Sequence, residues 1–350
     1  MTKEKPLLGL PFTSKNSIAI RGMRHDAGSL YWHGRRAEED APSVASLRRA
    51  GAIPLALTNV PELCMWGESH NLVDGCTRNP HDTRRSPGGS SGGEGSLLAA
   101  AGSLIGLGTD AAGSVRIPSA YCGIFGHKPT AGANCKSSFP YNFELPFFCS
   151  TTHRCSSTVQ CQYLTLFENI VGRANGYEFD SLFQVNLKAL KLYYMDNEGS
   201  LFISRVTTDM RRAVRRVTQY LTAAHGLEAN QLHLPEMRFG MYEWFKVIAI
   251  KNPTPLAQIF RPGGFNTLVE LLRHVVGAGR HTLAALLSSK FSPLYRFRSQ
   301  QKAEAFVASI ENARDRFEET LGDDGVLSCR QPRVPHRFRI RNFYFLIQQA

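Results

Sequence analysis

The hydroxyls that could do chemistry in this chain sit in two glycine-rich patches. Residues 86–118 read SPGGSSGGEGSLLAAAGSLIGLGTDAAGSVRIP, with Ser90 and Ser91 in one patch and Ser114 in the next. Glycine-rich backbone builds little core but brings N–H groups close to a ligand, so three chemistries compete for the stretch. Gly88 and Gly93 fit a phosphate-binding loop, yet Glu94 and Gly95 stand where Lys and Ser/Thr belong. A carboxylate there repels phosphate. Gly106, Gly108 and Ala111 fit a dinucleotide fingerprint, but the preceding LLAAA is helical in character, not the β-branched strand that motif needs. Residues 89–93 fit a nucleophile elbow with Ser91 as nucleophile. That fold requires an acid and then a His downstream; His225 and His274 are available, and nothing marks either.

A longer pattern covers the whole stretch. G-G-S-S-G-G-E-G at 88–95 is followed by G-x-G-T-D-x-x-G-S-x-R-x-P at 106–118, which resembles the amidase signature family of serine hydrolases. That family carries a third catalytic residue, a lysine, upstream in a G-[VL]-P-x-x-x-K segment, and GLPFTSK at 9–15 supplies it as Lys15. Lys15, Ser90 and Ser114 are 75 and 24 residues apart, separations similar to those of the family's fatty-acid amide hydrolases. NVPELCMW (59–66), SPGGSSGGEG (86–95) and CGIFGHKP (122–129) resemble the fatty-acid amide hydrolase 2-like branch.

The resemblance implies an amide hydrolase working through an acyl-enzyme, with no metal and no cofactor. An amide is a poor electrophile whose amine leaves only when protonated, so an activated nucleophile, a proton shuttle and anion stabilisation are needed. In the family's arrangement Ser114 is the nucleophile, and Ser90, preceded by a cis peptide, relays protons between Ser114 and Lys15. Lys15 is a base only when neutral, which requires burial; its neighbours GLPFTS and SIAI are low in charge. Many relatives carry an acid beside this lysine, where this chain has Asn16. The oxyanion would be held by backbone N–H groups of Ala111, Ala112, Gly113 and Ser114, each donor typically worth about 2.7–4 kcal/mol. Ala112 replaces a usual glycine; a positive φ there would cost about 1–2 kcal/mol. Cys64, with Met65, and Ser90 would lie near the substrate. Asp110 and Arg116 would pin the turn, with Ser91 in support. No histidine is required, and His127 reads as structural.

Those residues need a scaffold. Segment 6–130 alternates short apolar runs with Gly/Pro turns: Ser43–Ala50 reads as a helix ending at Gly51, and AIPLALTN as a strand. Segment 131–178 shows no sustained period. LKALKLYYMD, from 187, reads as a strand, and 207–224 places Met210, Ala213, Val214, Val217 and Leu221 on one helical face. Residues 264–290 and 300–321 carry two further amphipathic helices. The expected fold is α/β, an amidase signature fold with a central mixed sheet covered by helices on both faces. It should be incomplete at both ends, as in a fragment or an altered gene product. One domain over 1–326 is expected, with a catalytic core at 6–130, a divergent segment at 131–178 and a helical substrate part at 187–326. An unassigned basic tail follows at 327–350.

The net charge of +12 points to anionic partners. Much of it is local, in Arg211, Arg212, Arg215 and Arg216 and in the arginines of 330–341, and reads as a solvated basic helix and a loose tail. A small lipid amide, peripheral contact with a membrane and a homo-oligomer fit the resemblance; nucleic acid is not expected. The rival reading is a catalytically silent amidase-fold protein that binds membrane or another anionic partner, or an amidase of another substrate class. The eight cysteines form no C-x-x-C and read as reduced thiols. With neither a signal peptide nor a spanning segment in the sequence, an intracellular location, cytoplasmic or membrane-associated, is expected.

Overall fold

The computed structural model of the chain describes residues 5–128, 148–153, 190–195, 206–251, 254–322 and 325–329. It divides into two units, Met1–Phe179 with Lys251–Leu294 and Asp180–Ile250 with Tyr295–Ala350. The elements, in chain order, are β1 (Pro11–Lys15), α1 (Pro42–Arg49), β2 (Ile53–Thr58), β3 (His70–Asn71), β4 (Gly75–Cys76), α2 (Gly92–Ala99) and β5 (Ile105–Asp110). Then come α3 (Arg116–Cys122), β6 (Phe125–His127), β7 (Phe148–His153), β8 (Lys191–Met195), α4 (Thr208–His225), β9 (Ala229–Gln231) and α5 (Gly240–Lys251). The last are α6 (Leu256–Phe260), α7 (Thr267–Val275), α8 (Leu283–Phe291), α9 (Gln300–Leu321) and β10 (Gly325–Cys329).

The first unit is built on a five-stranded mixed sheet in the order β2-β1-β5-β7-β6. β1 runs parallel to both β2 and β5, while β7 is antiparallel to β5 and β6. Parallel neighbours need crossovers long enough to hold a helix. α1 joins β1 to β2 on one face, and α2 joins β2 to β5 on the other. Strand side chains alternate between faces. Phe12 therefore packs into a core with Ile18, Val44, Leu47 and Leu107, while Thr13 and Lys15 point to the side occupied by α2. Pro42 opens α1 at its first turn, where a missing N–H costs nothing. Gly51, with φ +95, follows its end.

β5 is buried along its whole length, and Gly106 shows why. A Cβ built on Gly106 would lie 1.8 Å from Glu94 Oε2, so only glycine lets α2 and its carboxylate lie against the strand. The helical reading of LLAAA and the strand reading of AIPLALTN both match the structure, as α2 and β2. β7 lies within the segment that shows no sustained period. Hydrogen bonding to strands on both sides supplies what its local pattern lacks.

The expected helix over 264–290 is two helices. Gly277, with φ +74, closes α7, and its N–H bonds to the His274 carbonyl. α8 restarts at Thr282, whose hydroxyl caps the N–H of Ala285. The apolar residues of 264–275 divide accordingly. Phe265 joins a buried cluster with Leu63, Ile259, Phe260 and Ala285, whereas Leu268, Leu272 and Val275 are exposed.

In the second unit β10, β8 and β9 form a three-stranded parallel sheet in that order. Met195, Leu232, Phe317 and Leu321 form its core. β8 lies within the predicted strand, and α4 buries Val214 on the predicted face. Cys64, Cys76 and Cys122 are free thiols. The side chains of the other five cysteines, and residues 330–350, lie outside what is described.

Candidate active site

β1 and β5 run parallel and end at the same edge of the sheet, the carboxyl edge at which open α/β sheets bind ligands. Lys15 is the last residue of β1 and Asp110 the last of β5. Lys15 has no exposed surface. Its Nζ lies 2.6 Å from Ser90 Oγ and 2.8 Å from Thr109 Oγ1. Ser90 is fully buried just ahead of α2, and the Gly89–Ser90 peptide is cis. The N–H of Ser91, the residue capping α2, donates to the carbonyl of Ser114 over 2.9 Å. That bond ties the loop of Ser90 to the loop of Ser114. Among the described residues the buried Ser91 hydroxyl has no hydrogen-bond partner, and the contact Ser91 makes to the Ser114 loop is through its backbone.

Asp110 builds the second loop. Its carboxylate accepts from the N–H groups of Gly113 at 2.7 Å, Val115 at 3.2 Å and Arg116 at 3.3 Å. It also takes a two-pronged bond from the Arg116 guanidinium, Nε and Nη2 each at 2.9 Å. Burial alone would raise its pKa. The charge and hydrogen bonds of Arg116, with the charge of Lys128, instead hold the carboxyl well below the usual carboxylate range. Lys128 is itself pushed down to about 8, chiefly by burial.

The turn places its left-handed residue at Gly113, with φ +122. Ala112 has no positive φ, so replacing a glycine there brings none of the anticipated strain. The Gly113 N–H, expected to face an oxyanion, is engaged by Asp110 instead. Ser114 is half-buried. The structure thus brings Lys15 and Ser90 into direct contact and fixes the Ser114 backbone beside them. No hydrogen bond between the Ser90 and Ser114 hydroxyls is formed among the described residues.

Residues 1–319 match the family profile Amidase. The chain belongs to the amidase signature family. It is 37% identical over 336 residues to fatty-acid amide hydrolase 2-A of Danio rerio, covering 92% of this chain and 61% of that protein. It is 34% identical over 333 residues to fatty-acid amide hydrolase 2 of Homo sapiens, covering 92% and 62%. The chain therefore spans less than two thirds of the length of these curated relatives. Among solved structures, a fatty acid amide hydrolase superposes with a TM-score of 0.72 at 20% identity, over 90% of this chain and 54% of the other. That likeness shows the amidase signature fold.

The turn that carries Cys64 is held by contacts that no local sequence pattern announces. Cys64 ends a short 3-10 turn, Glu62–Cys64, in which Leu63 and Cys64 both have positive φ, at 49° and 60°. Such backbone is uncommon outside glycine and persists only where surroundings impose it. Glu62 imposes it. Its buried carboxylate takes a 2.7 Å bond with His281 Nδ1, 2.7 Å from the Thr282 N–H and 3.0 Å from the Thr282 hydroxyl. His281 stacks on Phe265, with ring centroids 4.4 Å apart. The turn carrying Cys64 is thereby clamped to the start of α8. Among the described residues, no three His, Cys, Asp or Glu converge as a metal ion would require.

Proposed function

We propose that this chain hydrolyses fatty-acid amides to free acid and amine, with Ser114 as nucleophile, Ser90 as proton relay and Lys15 as base. The observation that carries the reading is the buried 2.6 Å contact between Lys15 Nζ and Ser90 Oγ, fastened to the Ser114 loop. Complete burial favours the neutral amine over the ammonium, and Ser90 and Thr109 present it with uncharged hydroxyls. The Ser114 proton passes to Ser90 Oγ as the Ser90 proton passes to Lys15 Nζ, and Ser114 Oγ bonds to the amide carbon. The resulting oxyanion lies against the N–H groups of the 111–114 turn other than that of Gly113, whose N–H Asp110 takes, and Asp110 with Arg116 holds the turn in place. As the carbon–nitrogen bond breaks, Ser90 protonates the departing amine and is refilled from Lys15. Water then cleaves the acyl ester by the same relay.

Fatty-acid amides are the substrate class because relatives matched over 92% of the chain carry that name, and because α7 presents apolar side chains outward. Leu268, Leu272 and Val275 are 66%, 62% and 83% exposed, which suits peripheral contact with a lipid surface. Among the described residues no helix is long and apolar enough to cross a membrane.

A fluorophosphonate probe tests the reading. The adduct should map to Ser114, and Ser114→Ala should lower kcat by roughly 10³-fold or more. Lys15→Ala should lose most activity at pH 7 and recover in part at high pH, where hydroxide replaces the base. An adduct on Ser91 with active Ser114→Ala would restore the elbow reading. No adduct at all would indicate the catalytically silent binding protein.

A further inference from the structure

Glu94 lies on the same face of the sheet as Lys15 and is as deeply buried. Its two carboxyl oxygens are held by threonines from the lysine's own strand and from the neighbouring β2. Thr58 Oγ1 donates to Oε1 and Thr13 Oγ1 to Oε2, each over 2.7 Å. Thr13 is two residues before Lys15 on β1, and Thr58 is the register partner of Lys15 on β2. Each hydroxyl also has a second acceptor within reach: the Ser14 carbonyl lies 3.4 Å from Thr58 Oγ1 and the Ile105 carbonyl 3.5 Å from Thr13 Oγ1. Turning one hydroxyl to its carbonyl leaves that threonine oxygen free to accept a hydrogen bond from a protonated Glu94. The pocket therefore satisfies both a charged and a neutral carboxyl, which a site built for a permanent ion pair does not do.

We infer that Glu94 is a positioning residue that sets the proton affinity of Lys15. The inference rests on the reading of Lys15 as the base. An ionised Glu94 stabilises the lysine cation that forms when the relay delivers a proton; a neutral Glu94 withdraws that support. Burial pushes the Glu94 carboxyl up to about 7 against the opposing pull of both threonines and Lys15, so its charge changes in the working range. α2 packs on β1, β2, β5, β7 and α3. Among the described side chains these elements bring Lys15 from β1, no charge from β2, and Asp110 from β5 paired with Arg116 from α3. Lys15 is the charge that acts on Glu94.

The test is the pH profile of kcat/KM for Glu94→Gln in the full chain. Without the anion Lys15 holds its proton less tightly. The acid limb should move about one pH unit lower, and plateau kcat should fall about tenfold as the base weakens. A role in packing alone would lower activity and leave the limb in place, which would overturn the inference. Should Glu94→Gln fail to fold, Thr58→Val removes one donor to the carboxylate and should move the limb the same way by a smaller amount; an unmoved limb there overturns it equally. Infrared difference spectra provide a readout independent of turnover: the parent should show a protonated carboxyl disappearing near neutral pH, and Glu94→Gln should lack it. Lys15→Ala separates the two readings. If that variant is fully active, the base reading falls and takes this one with it. If it is inactive while the Glu94→Gln limb is unmoved, only the role of Glu94 falls.

Discussion

Asp110 carries more of the site's geometry than any group expected to touch substrate. Its fully buried carboxylate holds three backbone N–H groups and both prongs of Arg116. Because its folded pKa is depressed, it contributes stability that is present above the unfolded value, about 4, and lost as pH falls toward the folded one. Asp110→Asn leaves the Arg116 cation buried without its counter-charge, a change that typically costs about 3–5 kcal/mol. Urea midpoints should show that loss at pH 7. The gap between parent and variant should narrow as pH falls below about 4, because the parent's carboxyl then takes up a proton in the unfolded chain while the folded one stays charged, which draws the parent toward unfolding. A gap that stays constant down to strong acid would show that the carboxylate's charge is irrelevant. The candidate residues Lys15, Ser90 and Ser114 could be picked out from the sequence because the motifs that carry them are local, and the structure brings Lys15 against Ser90. Glu94 was legible only as an objection to phosphate binding, since what it touches is decided by two strands brought together in the sheet.

At the level of elements, short-range signals served and long-range ones did not. α1 and β2 follow from Pro42, Gly51 and the run between them. The break between α7 and α8 was written in Gly277 and Gly279, but amphipathic spacing on either side masked it. Glu62 and His281 are 219 residues apart, and no spacing rule joins residues at that distance. Their clamp makes its own prediction. Glu62→Ala leaves the Thr282 N–H and His281 Nδ1 buried without their acceptor, at about 1–3 kcal/mol for each group left unsatisfied. Amide hydrogen exchange should quicken in the first turn of α8 and in the 62–65 turn while β5 stays protected. Uniform quickening through β5 would mean that Glu62 supports the whole unit and does not act as a local clamp.

For the whole molecule the open question is where its exposed apolar surface and its charge of +12 are used. In the first unit Leu268, Leu272, Val275 and Val276 stand out from α7 and its end, and Leu283 and Phe291 from α8. Arg280 is exposed between the two helices, while Arg273 is tied to Glu270 at 2.6 Å. Arg296 and Arg298 belong to the second unit. Exposed apolar side chains on two consecutive helices suit a contact surface. Burying them in a lipid interface gains roughly 25 cal/mol per Å² of apolar surface. Each basic residue near anionic headgroups adds about 1 kcal/mol. Vesicle co-sedimentation should therefore rise with anionic lipid content and fall with salt. Leu268→Ser with Leu272→Ser should weaken it at both salt extremes without lowering the urea midpoint, since those side chains hold no core together. Equal recovery on neutral and anionic vesicles would assign the binding to apolar burial alone. No recovery on either would remove the membrane from the proposed function and leave the amide chemistry to stand on Lys15, Ser90 and Ser114.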